Sequence, residues 1–186
     1  MSGAEGSQDW ISAALDVLAD GGIDGVRVEV VAQRLGVTKG GFYRRYRDRR
    51  ALLDGMLEAW LAGRMQAIQR QTELAGETPR ERLRSLIRLF SERLNPQGLS
   101  IELAIRQWAR SDTAAAAAVA TIDEVRLASV AGLYEGLGFS RIEAQARGVL
   151  LYTFIFGRGL LFLESLPADH EAMIEGCMAA LVDVAP

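Results

Sequence analysis

Apolar residues recur at three- and four-residue spacing along almost the whole chain, and proline occurs only at Pro79, Pro96, Pro167 and Pro186. That period puts side chains on one face of a helix, whereas a half-buried strand would need strict alternation. The chain is therefore expected to be all-α, with nine helices and no strand. Trp10, Ile11, Ala14, Leu15 and Leu18 mark a first helix from about Ser7 to Ala19, ended by Gly21-Gly22. A short helix from Val28 to Leu35 stops at Gly36, and Thr38 is placed to cap a second short one from Lys39 to Tyr46. Asp48 caps a longer helix through Leu52, Leu53, Met56, Leu57, Trp60, Leu61 and Met65. Thr78-Pro79-Arg80-Glu81 is a capping box with proline at the first helical position. Ser100 opens a helix through Trp108, and Asp112 opens one through an alanine run to Tyr134. Ser140 to Glu143 is a second capping box for a helix to about Leu163, and Pro167 starts the last helix.

The same composition limits the chemistry. One cysteine, Cys177, and one histidine, His170, cannot build a disulfide framework, a Cys/His zinc site or a Ser/His triad with alternatives. No catalytic or metal site, no cofactor and no enzyme activity are expected. The longest apolar run, 149–163, is 15 residues long and broken by Gly157, Arg158 and Gly159, short of the roughly 20 that span a bilayer. It is expected to be a buried helix, with no membrane partner. The opening residues lack a basic-then-apolar leader, so a cytoplasmic location is expected.

The formal net charge of -3 hides an asymmetry. Arg27, Arg34, Lys39, Arg44, Arg45, Arg47, Arg49 and Arg50 stand against only Glu29 and Asp48, a balance of +6 within 24 residues. From Ala51 onward 13 basic residues face 17 acidic ones, a balance of -4. The positive charge is a local device, mostly arginine and interleaved with Phe42, Tyr43 and Tyr46. That mixture suits phosphate contact and stacking, and a local basic patch on an acidic body points to a polyanion partner. A solvated basic face without a partner is the plainer alternative.

The basic segment coincides with two short helices joined by Gly36-Val37-Thr38, a helix-turn-helix pattern. Its second helix would present an exposed face to a DNA major groove. Glycine takes the left-handed turn conformation cheaply, Val37 is expected to bury in the small core, and Thr38 to satisfy amides at the start of the reading helix. Lys39, Gly40, Gly41 and Arg44 then project outward. Two glycines at 40 and 41 cost helix stability and let the backbone come close to bases or phosphates.

The run from Gly36 to Leu53, GVTKGGFYRRYRDRRALL, resembles the TetR-type transcriptional repressors, and the resemblance is strong over about Gln8 to Leu57. It implies nine or ten helices, a DNA-binding head over 1–57, and a divergent body over 58–186 that binds a small-molecule effector and forms a homodimer. It also implies that bases and phosphates of a double-stranded operator are contacted from the positions of Thr38, Lys39, Gly41, Tyr43 and Arg44. Arg49 falls where the family usually has a phosphate-binding lysine. Arg45-Tyr46 stands where the family typically has histidine-phenylalanine, and Val28 where a threonine or serine often opens the second helix. Arg45 suits phosphate in its own right, and Arg27 is a candidate to replace the missing hydroxyl contact. With Gly40, these residues form the expected DNA-binding set.

Beyond residue 57 the resemblance fades and residue type must serve. Trp60, Phe90, Trp108, Tyr134 and Tyr152, together with Arg106, are the candidates for an effector pocket, although each aromatic is more often core. Met65 and Phe156 supply further soft apolar surface. An ion pair between Arg106 and Asp112 is expected to brace a helix junction. The run 149–163 and the last helix, with Met173, Ile174, Cys177, Met178 and Leu181, are too apolar for a monomer surface and suit a two-fold four-helix interface. Two other readings compete: a helical enzyme or carrier using the body pocket, with Glu102, Asp112 and Glu135 as its only candidate acid-base groups, and a helical module that binds another protein.

Overall fold

The computed structural model describes residues 3–72, 78–91, 96–158 and 170–183. Among the described residues there are nine helices and no strand: α1 (Gly3–Gly25), α2 (Val28–Arg34), α3 (Lys39–Tyr43), α4 (Arg49–Thr72), α5 (Pro79–Ser91), α6 (Pro96–Trp108), α7 (Thr113–Gly136), α8 (Arg141–Arg158) and α9 (His170–Val182). No helix is long and apolar enough to cross a membrane among the described residues. The expected ends of the eighth helix near Leu163 and the expected start of the ninth at Pro167 lie outside the described residues, as does the His170 side chain.

The chain forms two compact units, one of Met1–Gln66 with Pro96–Ile122 and the other of Ala67–Asn95 with Asp123–Pro186. In the first, α1 packs along α6 and against α2, and α2 packs against α3. Gly22, at φ 68°, breaks α1 where the sequence placed its end. Trp10, Ala14, Leu18, Val31 and Phe42 are buried together with Leu52 and Met56 of α4. In the second unit α5 packs on α8 and α9. Its core holds Leu83, Ile87, Tyr134, Leu151 and Ile155 with Ile174, Met178 and Val182 of α9.

The helix starts follow their caps. Asp48 Oδ1 accepts the Ala51 N–H at 2.9 Å, and Asp112 Oδ1 accepts those of Ala114 and Ala115 at 3.0 Å each. Both capping boxes close: the Thr78 N–H donates to Glu81 at 2.7 Å and the Ser140 N–H to Glu143 at 3.1 Å, with the return bonds also present. These bonds hold both glutamates below the usual carboxylate range. Two expectations are corrected. α6 begins at Pro96, not Ser100, because proline suits the first helical position, whose N–H needs no partner. α3 is five residues long and ends at Tyr43 rather than Tyr46, the next turn being closed by Arg45 and Tyr46 N–H groups on the Phe42 carbonyl at 2.8 and 2.9 Å.

Candidate nucleic-acid interface

The junction between α2 and α3 is set by backbone hydrogen bonding. Gly36 has φ 66°, its N–H donates to the Gln33 carbonyl at 3.1 Å, and the Val37 N–H reaches back to Ala32 at 3.0 Å. This paired closure satisfies the carbonyls at the end of α2 and turns the chain into α3. Val37 is not buried as expected. It is 47% exposed in the turn between α2 and α3, and Phe42 is the buried residue of α3. Thr38 takes the extended conformation of an N-cap but makes no side-chain cap bond; its carbonyl instead accepts the Gly41 N–H at 2.9 Å. Arg27 likewise caps α2 with its backbone only.

Phe42 anchors α3. It is fully buried, edge-on to Trp10 at 5.5 Å and to Tyr43 at 5.1 Å, and stacked with Tyr46 at 5.4 Å. With that residue inward, the helical period turns Lys39, Gly40, Tyr43 and Arg44 outward, and Tyr43 is 63% exposed. A methyl group added at Gly40 would meet only Thr38 Oγ1 at 3.7 Å, and one at Gly41 only Trp10 at 3.9 Å. Alanine would fit at both, so the two glycines serve no internal packing need.

The basic side chains divide by partner. Arg34 pairs with Asp20 at 2.7 Å, Arg47 with its neighbour Asp48 at 3.1 Å, and Lys39 with Glu29 at 2.6 Å. Arg50 bridges Asp54 at 2.8 Å and Asp112 at 2.5 Å. Arg49 forks onto two carbonyls, Nε to Val26 at 2.6 Å and Nη2 to Ile23 at 2.8 Å. It thereby ties the start of α4 to the α1–α2 corner that Gly22 opens. Arg27, Arg44 and Arg45 make no ion pair among the described residues; Arg44 Nε only leans on the Gly40 carbonyl at 3.4 Å. The expected set Arg27, Thr38, Lys39, Gly40, Gly41, Tyr43, Arg44, Arg45 and Arg49 thus lies within one small region of the first unit. The sequence reading missed Glu29, whose signal was a carboxylate ten residues before a lysine across a tight turn.

Residues 11–56 match the profile of the bacterial regulatory proteins of the tetR family. Over 52 residues the chain is 48% identical to the tetracycline repressor protein class A from transposon 1721 of Escherichia coli. The segment from residue 11 to residue 56 is thus similar to the DNA-binding head of the tetR-family regulatory proteins. The 52-residue match covers 28% of the chain and spans 24% of that relative's length. In fold the likeness extends much further. A transcriptional regulator from Rhodococcus sp. Rha1 superposes with a TM-score of 0.73 at 21% identity, over 97% of this chain and 99% of that one. Salmonella enterica GusR gives 0.73 at 12% identity over 97% and 96%. The regulator FadR from Bacillus subtilis, solved with stearoyl-CoA, gives 0.69 at 19% over 94% and 97%. The TetR-like all-α architecture therefore holds for nearly the whole chain.

The effector candidates divide between the units. Trp60 and Trp108 are buried in the first, and the Trp60 Nε1 has no hydrogen-bond partner among the described residues. Arg106 lies there too, but its ion pair is with the buried Glu102, one turn earlier on α6, at 3.0 Å. The expected pair with Asp112 does not form, since Asp112 caps α7 and takes Arg50 instead; those bonds keep its carboxyl below the usual range. A groove of about 340 Å³ runs between Leu18 and Ile23 of α1 and Leu103, Gln107 and Trp108 of α6. In the second unit Tyr134 is fully buried and its hydroxyl donates to the Leu181 carbonyl at 3.0 Å, while burial pushes its pKa up to about 12. Tyr152 lines a cavity of about 30 Å³ with Arg82, Ile68, Leu86 and Leu133, room for roughly one water molecule. The Phe90 side chain lies outside the described residues. No group of three or more metal-ligating side chains occurs among the described residues.

The expected burial of the 149–163 run is corrected for its described part. α8 buries Leu151, Tyr152 and Ile155 but leaves Ile142 79%, Val149 52% and Leu150 58% exposed. α9 likewise buries Ile174 and Met178 and turns Ala172, Gly176, Ala179 and Ala180 outward.

Proposed function

We propose that the protein is a ligand-responsive transcriptional regulator, a repressor that binds a palindromic double-stranded operator as a homodimer and is released by a small-molecule effector. The observation that carries this reading is the exposed surface of α3 and the turn after it, with Tyr43, Arg44 and Arg45 outward and two glycines that internal packing does not require. The match of residues 11–56 to the bacterial regulatory proteins of the tetR family supports it. On this reading α3 enters the major groove. Arg44 and Lys39 reach base edges, while Tyr43, Arg45 and Arg27 hold phosphates, with Thr38 and the two glycines at closest approach. Arg49 braces the head from behind and keeps one guanidinium nitrogen for phosphate.

The apolar outer face of α8 and the small-residue face of α9 suit a two-fold interface, as large exposed aliphatics do not suit water. A dimer then places its reading helices about one helical turn, 34–36 Å, apart on DNA. An effector with different affinity for the bound and released spacings shifts the equilibrium, and a coupling of about 1–3 kcal/mol is typical. FadR was solved with stearoyl-CoA, which supports a small-molecule effector here too; the proposed lining residues are Trp60, Arg106 and Trp108 in the first unit and, separately, Phe90, Tyr134 and Tyr152 in the second. The protein acts in the cytoplasm, has no enzyme activity, and needs no cofactor.

Selection of binding sites from random duplex DNA, with the solution mass measured in parallel, tests this. A palindromic consensus from a species of twice 20.3 kDa is the expected result. Sequence-blind binding by a monomer would overturn it.

A further inference from the structure

A carboxylate on a face that binds a polyanion opposes the attraction, so the two in the basic segment need separate reasons. Asp48 has one in its cap on Ala51. Glu29 caps no other residue's amide among the described residues. It stands in the first turn of α2, and its Oε1 lies 2.6 Å from the Lys39 ammonium at the start of α3, with both side chains 58% exposed. The lysine's hydrogen bond is the main reason the Glu29 carboxyl lies below the usual range.

We infer that Glu29 is a specificity-determining residue of the reading head, holding Lys39 back from phosphates while leaving it able to donate to base edges. The inference rests on the DNA-binding reading above. A free lysine ammonium is a compact point charge that takes any phosphate, and such contacts strengthen binding to every sequence alike. Tied to Glu29, Lys39 reaches a phosphate only by giving up its partner or by carrying the carboxylate's negative charge against the phosphodiester, and that juxtaposition is unfavourable. A base acceptor such as guanine O6 or N7 is uncharged and does not repel Glu29. With three N–H donors, Lys39 can keep one on the carboxylate and offer the others to the groove edge. The pair therefore weakens the contacts that carry no sequence information and spares the one that does.

The test uses the full chain and Glu29→Gln, which retains an oxygen to accept from Lys39 and removes the charge. Affinities are measured on random duplex and on the selected operator across a salt series. Random-DNA affinity is expected to rise roughly two- to fivefold, about the worth of one exposed ion pair. The salt slope should steepen by about 0.9, one more phosphate contact, and the operator-to-random ratio should fall. Adding Lys39→Met to Glu29→Gln should return the slope to its starting value. If Glu29→Gln changes both affinities in parallel at constant slope, or lowers both along with the melting temperature, Glu29 is structural and the inference fails. If the wild-type chain itself binds no duplex, the DNA-binding reading fails first; if wild type binds and Glu29→Gln is indistinguishable from it, only this inference falls.

Discussion

The two compact units use arginine in opposite ways. In the first, the basic segment outnumbers its acids, and Arg27, Arg44 and Arg45 are left without an ion pair among the described residues. In the second, arginines are turned onto partners. Arg84 meets Glu175 at 3.0 Å and also Asp183, and Arg80 donates to the Val182 carbonyl at 2.8 Å. Arg126, nearly buried, lies 5.9 Å from the Tyr152 ring centre and 5.6 Å from that of Phe156, and Arg147 sits 4.0 Å over Phe139. One residue type thus makes an external field in one place and internal cross-ties in another. The local ratio of bases to acids decides which, because an arginine with a carboxylate in reach spends its charge there.

The largest effect is expected at the anchor of the exposed helix in the first unit. Phe42→Ala removes the anchor of α3 and should destabilise the first unit by about 3–5 kcal/mol, read from urea denaturation. A loss below that of any surface arginine would mean that α3 is held from elsewhere. Arg49→Lys keeps the charge but not the fork onto Val26 and Ile23. It should cost about 1–2 kcal/mol of stability with the DNA salt slope unchanged, since lysine keeps the charge for phosphate; full stability in the variant would mean that the fork does not brace the corner. Tyr134→Phe deletes the bond to Leu181 and should cost about 0.5–1.5 kcal/mol while leaving DNA affinity alone.

Asp183→Asn tests the cross-ties of the second unit through pH. Hydrogen bonding from Arg84 holds the Asp183 carboxyl below its ordinary value. Its contribution is therefore present above the unfolded value near 3.9 and is lost as pH falls through the lower folded one. The stability gap between wild type and variant should be constant near neutrality and close below about pH 4; a gap that persists there would assign the effect to packing. Arg45→Ala should change stability by less than about 0.5 kcal/mol, yet flatten the salt slope of DNA binding by about 0.9.

Features that depend on a few consecutive residues were legible in the sequence. The boxes at Thr78 and Ser140, the caps at Asp48 and Asp112, and the left-handed Gly36 all appear where local chemistry demanded them. Features that depend on what arrives from a distance were not. Spacing suggested Asp112 for Arg106, but a one-turn neighbour, Glu102, was nearer, and Arg50 came from 62 residues away to claim Asp112. Thr38 has the right residue type and backbone for a cap, yet its side chain makes no cap bond, which residue type alone does not reveal. The outward faces of α8 and α9 follow from helical period combined with knowing which side the core lies on, and only the fold supplies the second.

The indole of Trp10 lies edge-on to Phe42 and under Gly41, so the helix that faces outward rests on a natural fluorophore. The only other indoles are those of Trp60 and Trp108, both buried. Replacing these two with phenylalanine leaves a single tryptophan beneath α3, and its spectrum and quenching, excited beyond the tyrosine band, then report the seating of that helix directly, with no label attached and no operator sequence needed in advance.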